Sequence, residues 1–152
     1  MKKIQKVIGI ILINITILLL GVVLLLGERD IPKEKLKEKY CTSNSIFMSL
    51  MGMQVHYRIE GNTLDTLPIL LIHGTSSSLH TWDSLVSILT TRQNINKRII
   101  RVDLPAFGLT GPSPENKYDY KYYNQFLDSF LNRLHINKCI IAGNSLGGGI
   151  AW

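Results

Sequence analysis

The chain has 152 residues, a length typical of a single domain, and 45% of them are hydrophobic. Its formal net charge is +6, but the excess lies near the N-terminus: residues 1–40 carry eight Lys/Arg and four Asp/Glu, against nine and seven in residues 41–152. This distribution argues against a nucleic-acid-binding protein. Two widely separated cysteines, Cys41 expected to be exposed and Cys139 buried, exclude a disulfide framework.

The chain begins with a basic N-terminus, residues 1–6, followed by a long apolar run. Val7 to Leu26 is interrupted only by Asn14 and Thr16, and as a helix it would be about 30 Å long, the thickness of the bilayer core. We therefore predict a single-pass transmembrane signal anchor over residues 7–27, with the lipid bilayer as a partner. A cleaved signal peptide is the alternative, but its apolar region would be shorter, about 7–15 residues, and no small-x-small cleavage site follows.

Residues 28–44 form a charged segment in which Lys and Glu alternate, predicted to be a solvated linker or a short helix. Basic residues flank the apolar run on both sides, so the positive-inside count does not decide the orientation. A short basic N-terminus before a first apolar span usually stays in the cytoplasm. We therefore expect the rest of the chain to be extracytoplasmic.

From residue 45 onward, short apolar runs alternate with segments of helical periodicity, which is typical of an α/β fold with a parallel sheet after an antiparallel start. The predicted strands are Ser45–Leu50 and Met53–Glu60, which form a hairpin, then Ile69–Ile72, Arg98–Asp103 and Lys138–Ala142. The predicted helices are Leu79–Arg92 and Tyr120–Leu134. The second helix carries an apolar stripe that we expect to be core: Tyr123, Phe126, Leu127, Phe130, Leu131 and Leu134.

The first chemical motif follows the strand Ile69–Ile72. That strand ends in His73-Gly74-Thr75, and a glycine at this point lets the chain turn closely past a site. The backbone N–H of Thr75 can then face an oxyanion.

The second motif is the strand-to-helix turn around Ser145. Gly143-Asn144-Ser145-Leu146-Gly147 has the pattern Gly-x-Ser-x-Gly, after an apolar strand and before a glycine-rich helix start. Such a turn exposes the serine Oγ and directs helix N-terminal N–H groups at a developing oxyanion. Gly143 and Gly147 meet the demand for small neighbours.

These motifs, with a third at Asp103-Leu104-Pro105-Ala106-Phe107-Gly108 and with Trp82 eight residues past Gly74, resemble the α/β-hydrolase fold family. The resemblance covers residues 45–152 and implies that Ser145 is the nucleophile. It implies that the N–H groups of Thr75 and Leu146 form the oxyanion hole, supported by His73, Gly74, Gly143 and Gly147. The expected substrate is a small ester-like or acyl compound, and we expect no cofactor and no metal. Ala106 departs from the glycine that is usual in this family.

In this family the catalytic acid and histidine follow the serine, yet only seven residues follow Ser145. We therefore expect the N-terminal fragment of a membrane-anchored serine hydrolase, truncated just after the nucleophile elbow and inactive alone. One alternative is an inactive membrane-tethered remnant of a truncated or split gene. Another is an interaction module that reuses the fold.

The upstream polar residues are expected to be structural. His73 is predicted to shape the turn by bonding to the backbone, and Asp103 to organise its loop. We expect His56, His80 and His135 to be structural and to lie at the surface.

Overall fold

The computed structural model describes residues 2–27, 31–91 and 96–152. They form two compact units, Met1–Pro32 and Lys33–Trp152. The first unit is one helix, α1 (Lys2–Leu26), in which no residue is buried. Its length and composition fit a membrane-crossing helix and also an N-terminal signal sequence.

The second unit is a five-stranded sheet with flanking helices, in the order β1-β2-β4-β3-β5. β1 pairs with β2, and β2 with β4, in antiparallel orientation, whereas β3 runs parallel to both β4 and β5. The strands are β1 (Ser45–Leu50), β2 (Met53–Gly61), β3 (Ile69–Ile72), β4 (Arg98–Val102) and β5 (Ile140–Gly143). The helices are α2 (Lys33–Tyr40), α3 (Asp83–Thr91), α4 (Tyr120–Arg133) and α5 (Leu146–Ala151).

The core lies on both faces of the sheet because neighbouring strand residues point to opposite sides. On one face the apolar stripe of α4 packs against a large cluster, as the helical periodicity predicts. The buried members from the sheet include Val55, Tyr57, Leu70, Ile72, Ile100 and Val102. On the other face, Val86 of α3 packs against Leu71 and Ile99. This mixed sheet, covered by helices on both faces, is the architecture expected from the sequence.

The predicted helix Leu79–Arg92 begins differently from the expectation. Its first four residues, Leu79–Trp82, form a 3₁₀ turn, and α3 follows directly. Asp83 N–H donates to His80 O, while Leu79 O, its acceptor in an α-helix, accepts from Arg101 of β4 (3.2 Å). Leu79 N–H donates to Asp103 Oδ1 (2.7 Å). Arg92 lies outside the described residues.

The last strand begins two residues later than predicted. β5 pairs with β3 from Ile140 opposite Ile69 to Gly143 opposite Ile72, so Lys138 has no partner in the sheet. β5 is an edge strand among the described residues, and the side chains of Ile140 and Ile141 are 45% and 39% exposed. The cysteine prediction was wrong, because both Cys41 and Cys139 are partly buried; burial raises the pKa of the Cys139 thiol.

Candidate active site

The turn between β5 and α5 holds Ser145 in a backbone conformation that L-residues rarely adopt. Its φ is +52° and its ψ is −116°, and its side chain is exposed and does not cap α5. A Cβ added to Gly143 would lie 2.1 Å from Gly147 O, and one added to Gly147 would lie 2.2 Å from Ile72 O. Only glycine fits at these two positions, which explains the sequence pattern around the serine.

Two backbone hydrogen bonds hold this strained turn. Asn144 N–H donates to Ile72 O (3.0 Å), which ties the turn to the end of β3. Gly147 N–H donates to Asn144 O (2.9 Å), which closes the turn itself. Strain of this kind persists only where the surrounding structure enforces it, and it is concentrated at functional sites.

The His73-Gly74 turn passes directly beside Ser145. A Cβ on Gly74 would lie 3.0 Å from Ser145 Cβ and 3.1 Å from Asn144 O. Thr75 is exposed, and Leu146 is the first residue of α5, where an N–H has no acceptor within the helix. Within the described part of the chain, neither N–H donates to another backbone group. The fold therefore brings a serine hydroxyl and two free backbone donors to the same end of the parallel strands.

His73 is buried, and both of its ring nitrogens are bonded to backbone. Leu104 N–H donates to Nε2 (3.0 Å), so the ring proton is on Nδ1, which donates to Gly74 O (2.7 Å). Desolvation by burial lowers the pKa of His73, against opposing effects of the Gly74 bond and the Asp103 charge, and so favours the neutral ring. Neither nitrogen is free to accept a proton from Ser145.

The bond from His73 also orients the candidate oxyanion donor. Gly74 C=O and Thr75 N–H belong to one planar trans peptide, so they point in opposite directions. By fixing the carbonyl, His73 fixes the direction of the Thr75 N–H.

The prediction that His56 lies at the surface was wrong: it is fully buried. Its cross-strand partner Phe47 stacks on the ring at 4.9 Å, and its Nδ1 lies 2.8 Å from Asp103 Oδ2, so neighbours from β1 and from the end of β4 enclose it. His80 is only partly exposed and pairs with Asp83 (2.8 Å), whereas His135 is exposed after α4.

Asp103 connects the loops that follow β3 and β4. Besides His56, its carboxylate accepts from Leu79 N–H (2.7 Å) and Leu109 N–H (2.9 Å). A Cβ on Gly108 would lie 2.2 Å from this carboxylate, so glycine is required there as well. Asp103 organises these loops, as expected from the sequence.

The sequence analysis did not predict a buried ionic network, which lies on the same face of the sheet as His56 and Asp103. Arg58 and Arg101 are direct cross-strand partners, and both are buried. Arg101 bonds Glu60 (2.9 and 2.5 Å) and Asp83 (2.5 Å), while Arg58 donates to Tyr40 O (2.9 Å). Charged residues that alternate with apolar ones along a strand usually indicate a face that is exposed to solvent. The only available signal was their occurrence at paired positions of two strands.

Among the described residues, no three His, Cys, Asp or Glu side chains converge to hold a metal ion. The chemistry that this arrangement can support is attack by an exposed serine beside two backbone N–H donors.

Comparison with known proteins agrees with this geometry. Residues 68–152 match the family described as alpha/beta hydrolase fold. A haloalkane dehalogenase of Psychrobacter cryohalolentis is 32% identical over 97 residues, which cover 63% of this chain and 31% of the relative. An sn-1-specific diacylglycerol lipase of Danio rerio is 30% identical over 87 residues, 57% of this chain and 26% of the relative.

Among solved structures, a hydrolase from Pseudomonas aeruginosa superposes with a TM-score of 0.61 at 25% identity. The match covers 72% of this chain and 40% of that protein. The matched region thus spans less than a third of either curated relative and less than half of the solved structure.

Proposed function

This chain belongs to the α/β-hydrolase fold family, and on that premise we propose that it is the N-terminal part of a membrane-anchored serine hydrolase. The observation that carries the proposal is the exposed Ser145 at φ +52°, with Gly74 against its Cβ. A strained turn of this kind, between a strand and a helix, is the setting in which a serine hydroxyl acts as a nucleophile.

In the proposed reaction Ser145 Oγ attacks the carbonyl carbon of an ester-like substrate and passes its proton to a histidine base. The carbonyl oxygen becomes negative and accepts hydrogen bonds from Thr75 N–H and Leu146 N–H. The alcohol then leaves with the proton, and water cleaves the acyl-enzyme to release the acid. The histidine and its acidic partner come from sequence beyond this chain.

The residue at the elbow supports ester chemistry over the alternatives within the family. Dehalogenases and epoxide hydrolases of this fold use aspartate as the nucleophile, whereas this chain has Ser145 at the corresponding position. The similarity to a diacylglycerol lipase is compatible with an ester substrate, although it extends over only 26% of that relative.

The proposed organisation is a basic N-terminus (residues 1–6), a signal anchor (7–27), a charged linker (28–44) and a hydrolase domain (45–152). The support for the anchor is α1, which is apolar from Val7 to Leu26 except for Asn14 and Thr16 and in which no residue is buried. The N-terminus is proposed to be cytoplasmic and the hydrolase domain extracytoplasmic. The support for a longer parent is the edge strand β5, whose unpaired backbone edge would accept a further strand. Its exposed Ile140 and Ile141, on opposite faces of the sheet, would be covered by further helices.

The test is covalent labelling of Ser145 in the full-length protein. A fluorophosphonate probe should form a bond between Ser145 Oγ and phosphorus with loss of fluoride, and Ser145→Ala should abolish it. Ser84→Ala is the matched control, because Ser84 is an exposed serine on α3. Labelling that survives Ser145→Ala would refute the assignment.

A further inference from the structure

A buried polar cluster joins β2 to the loops that follow β3 and β4. His56 and Asp103 are 0% and 1% exposed, and His56 Nδ1 lies 2.8 Å from Asp103 Oδ2. Thr110 reinforces the pair: His56 N–H donates to Thr110 Oγ1 (3.0 Å), which donates to Asp103 O (2.8 Å). The two side chains are therefore held together by main-chain and side-chain bonds.

The loop that carries Thr75 is fixed at both ends by consecutive residues after β4. At its start, Leu104 N–H bonds the ring of His73 (3.0 Å), which in turn fixes Gly74 O. At its end, Asp103 Oδ1 accepts from Leu79 N–H (2.7 Å). Any rotation of the Asp103 carboxylate would release the second attachment.

His56 and Leu109 both donate to Oδ2 and together hold the carboxylate against this rotation. A carboxylate only accepts, so His56 Nδ1 carries the proton and donates to Oδ2. Its other nitrogen, Nε2, is buried without a hydrogen-bond partner among the described residues, so the side chain makes its one directional bond to Asp103. The ring of Phe47, stacked at 4.9 Å, keeps the imidazole in place.

We propose that His56 is a positioning residue that acts through Asp103. It helps to hold in place the loop from His73 to Leu79, which carries Thr75. Without the His56 N–H, Oδ2 keeps only the bond from Leu109, and the carboxylate is held less firmly toward Leu79. The segment from Thr75 to Leu79 would then be anchored mainly at its His73 end, which loosens the position of the Thr75 N–H beside Ser145. The catalytic meaning of this inference rests on the proposed function, whereas the attachment of the loop does not.

The experiment compares two variants in the full-length protein. His56→Phe keeps the ring and its stacking but removes the donor, whereas His56→Asn removes the ring but places an amide N–H near the position of Nδ1. We expect the rate constant for phosphonate capture of Ser145 to fall about 10- to 100-fold in His56→Phe, the range for a misplaced oxyanion group. It should stay within about threefold of wild type in His56→Asn, and the probe concentration for half-saturation should change little in both.

Amide hydrogen exchange separates failure of this inference from failure of the proposed function. Exchange at Leu79 should accelerate in His56→Phe, and by more than exchange at Leu109, which keeps its acceptor. Neither should accelerate in His56→Asn, even if Ser145 proves unreactive. Equal effects of both variants, or none, on capture and exchange would overturn the inference. Should His56→Phe not fold, the ¹⁵N spectrum of the wild type decides: a proton on Nε2 rather than Nδ1 would refute it.

Discussion

Ala106 adopts φ +67°, a left-handed conformation that is strained for any residue with a Cβ. It lies in the loop after β4, where its N–H donates to Gly111 O (3.0 Å), so the turn cannot relax without losing that bond. The residue departs from the glycine that is usual in this family, and the structure shows the conformational reason for that glycine.

We expect Ala106→Gly to stabilise the protein. Relief of the left-handed strain is offset in part by the greater entropy of glycine in the unfolded chain, which leaves about 0.5–1 kcal/mol of added unfolding free energy. Denaturant unfolding of the full-length protein measures this change in unfolding free energy. Ala142→Gly in β5 is the control, because the same change in a strand costs about 0.5–1 kcal/mol. A loss of stability in Ala106→Gly would show that the left-handed conformation is not strained.

For individual residues, the strand-to-helix turn around Ser145 was predictable from the sequence. The hydrogen-bonded cluster around Asp103 was predictable only in part. Gly143 and Gly147 are required by contacts within a local turn, so the sequence pattern carries the geometry. His56 was misjudged because its burial depends on Phe47 of β1 and on Asp103 in the loop after β4, both distant in sequence. Local periodicity contains no information on what covers the second face of a strand.

At the scale of elements, α1 is set apart by the absence of buried residues along 25 positions. The apolar part of this helix, Val7 to Leu26, is long enough to match the bilayer core, about 30 Å. The same features fit a signal sequence. The two interpretations differ in whether the helix is retained in the mature protein or removed by cleavage.

Two charges in the middle of α1 should remove the protein from the membrane. Ile15→Lys and Leu19→Lys should each cost about 2.5–3.5 kcal/mol of insertion free energy. Together they should release the protein from carbonate-washed membranes or prevent insertion, whereas Ile4→Lys, in the basic flank, should leave it in the pellet. A mature N-terminus between Gly27 and Cys41, found by mass spectrometry, would instead identify a cleaved signal.

The errors in element boundaries have a common cause. β5 begins at Ile140 because its partner β3 begins at Ile69. The helix after β3 begins as a 3₁₀ turn in which Leu79 O accepts from Arg101 instead of from Asp83 N–H. Helix and strand types followed from local patterns. Their ends were set by residues distant in sequence.

At the scale of the whole molecule, the described residues supply a candidate nucleophile and two donors, while the histidine beside them has both nitrogens occupied. A serine without a general base retains only the contribution of the oxyanion hole and substrate binding.

Residues 1–152 alone should therefore hydrolyse p-nitrophenyl acetate little faster than their Ser145→Ala variant. The full-length protein should be faster by about four orders of magnitude, the usual effect of a complete triad. Steady-state absorbance assays of the three proteins measure these rates of hydrolysis. Robust turnover by residues 1–152 that depends on Ser145 would mean that a histidine within this chain acts as the base.

Ser145 and Gly74 adjoin only because β5 is docked against β3, a pairing that links Ile69 with Ile140. Contacts between segments so far apart are slow to form, because the entropy of closing the loop is lost before the contact is gained. The Ser145 side chain therefore lies beside the His73-Gly74 turn only after β5 has paired with β3. In the full-length protein, phosphonate labelling of Ser145 should require this pairing together with the later general base, so the onset of labelling during refolding sets a latest time for the docking of β5.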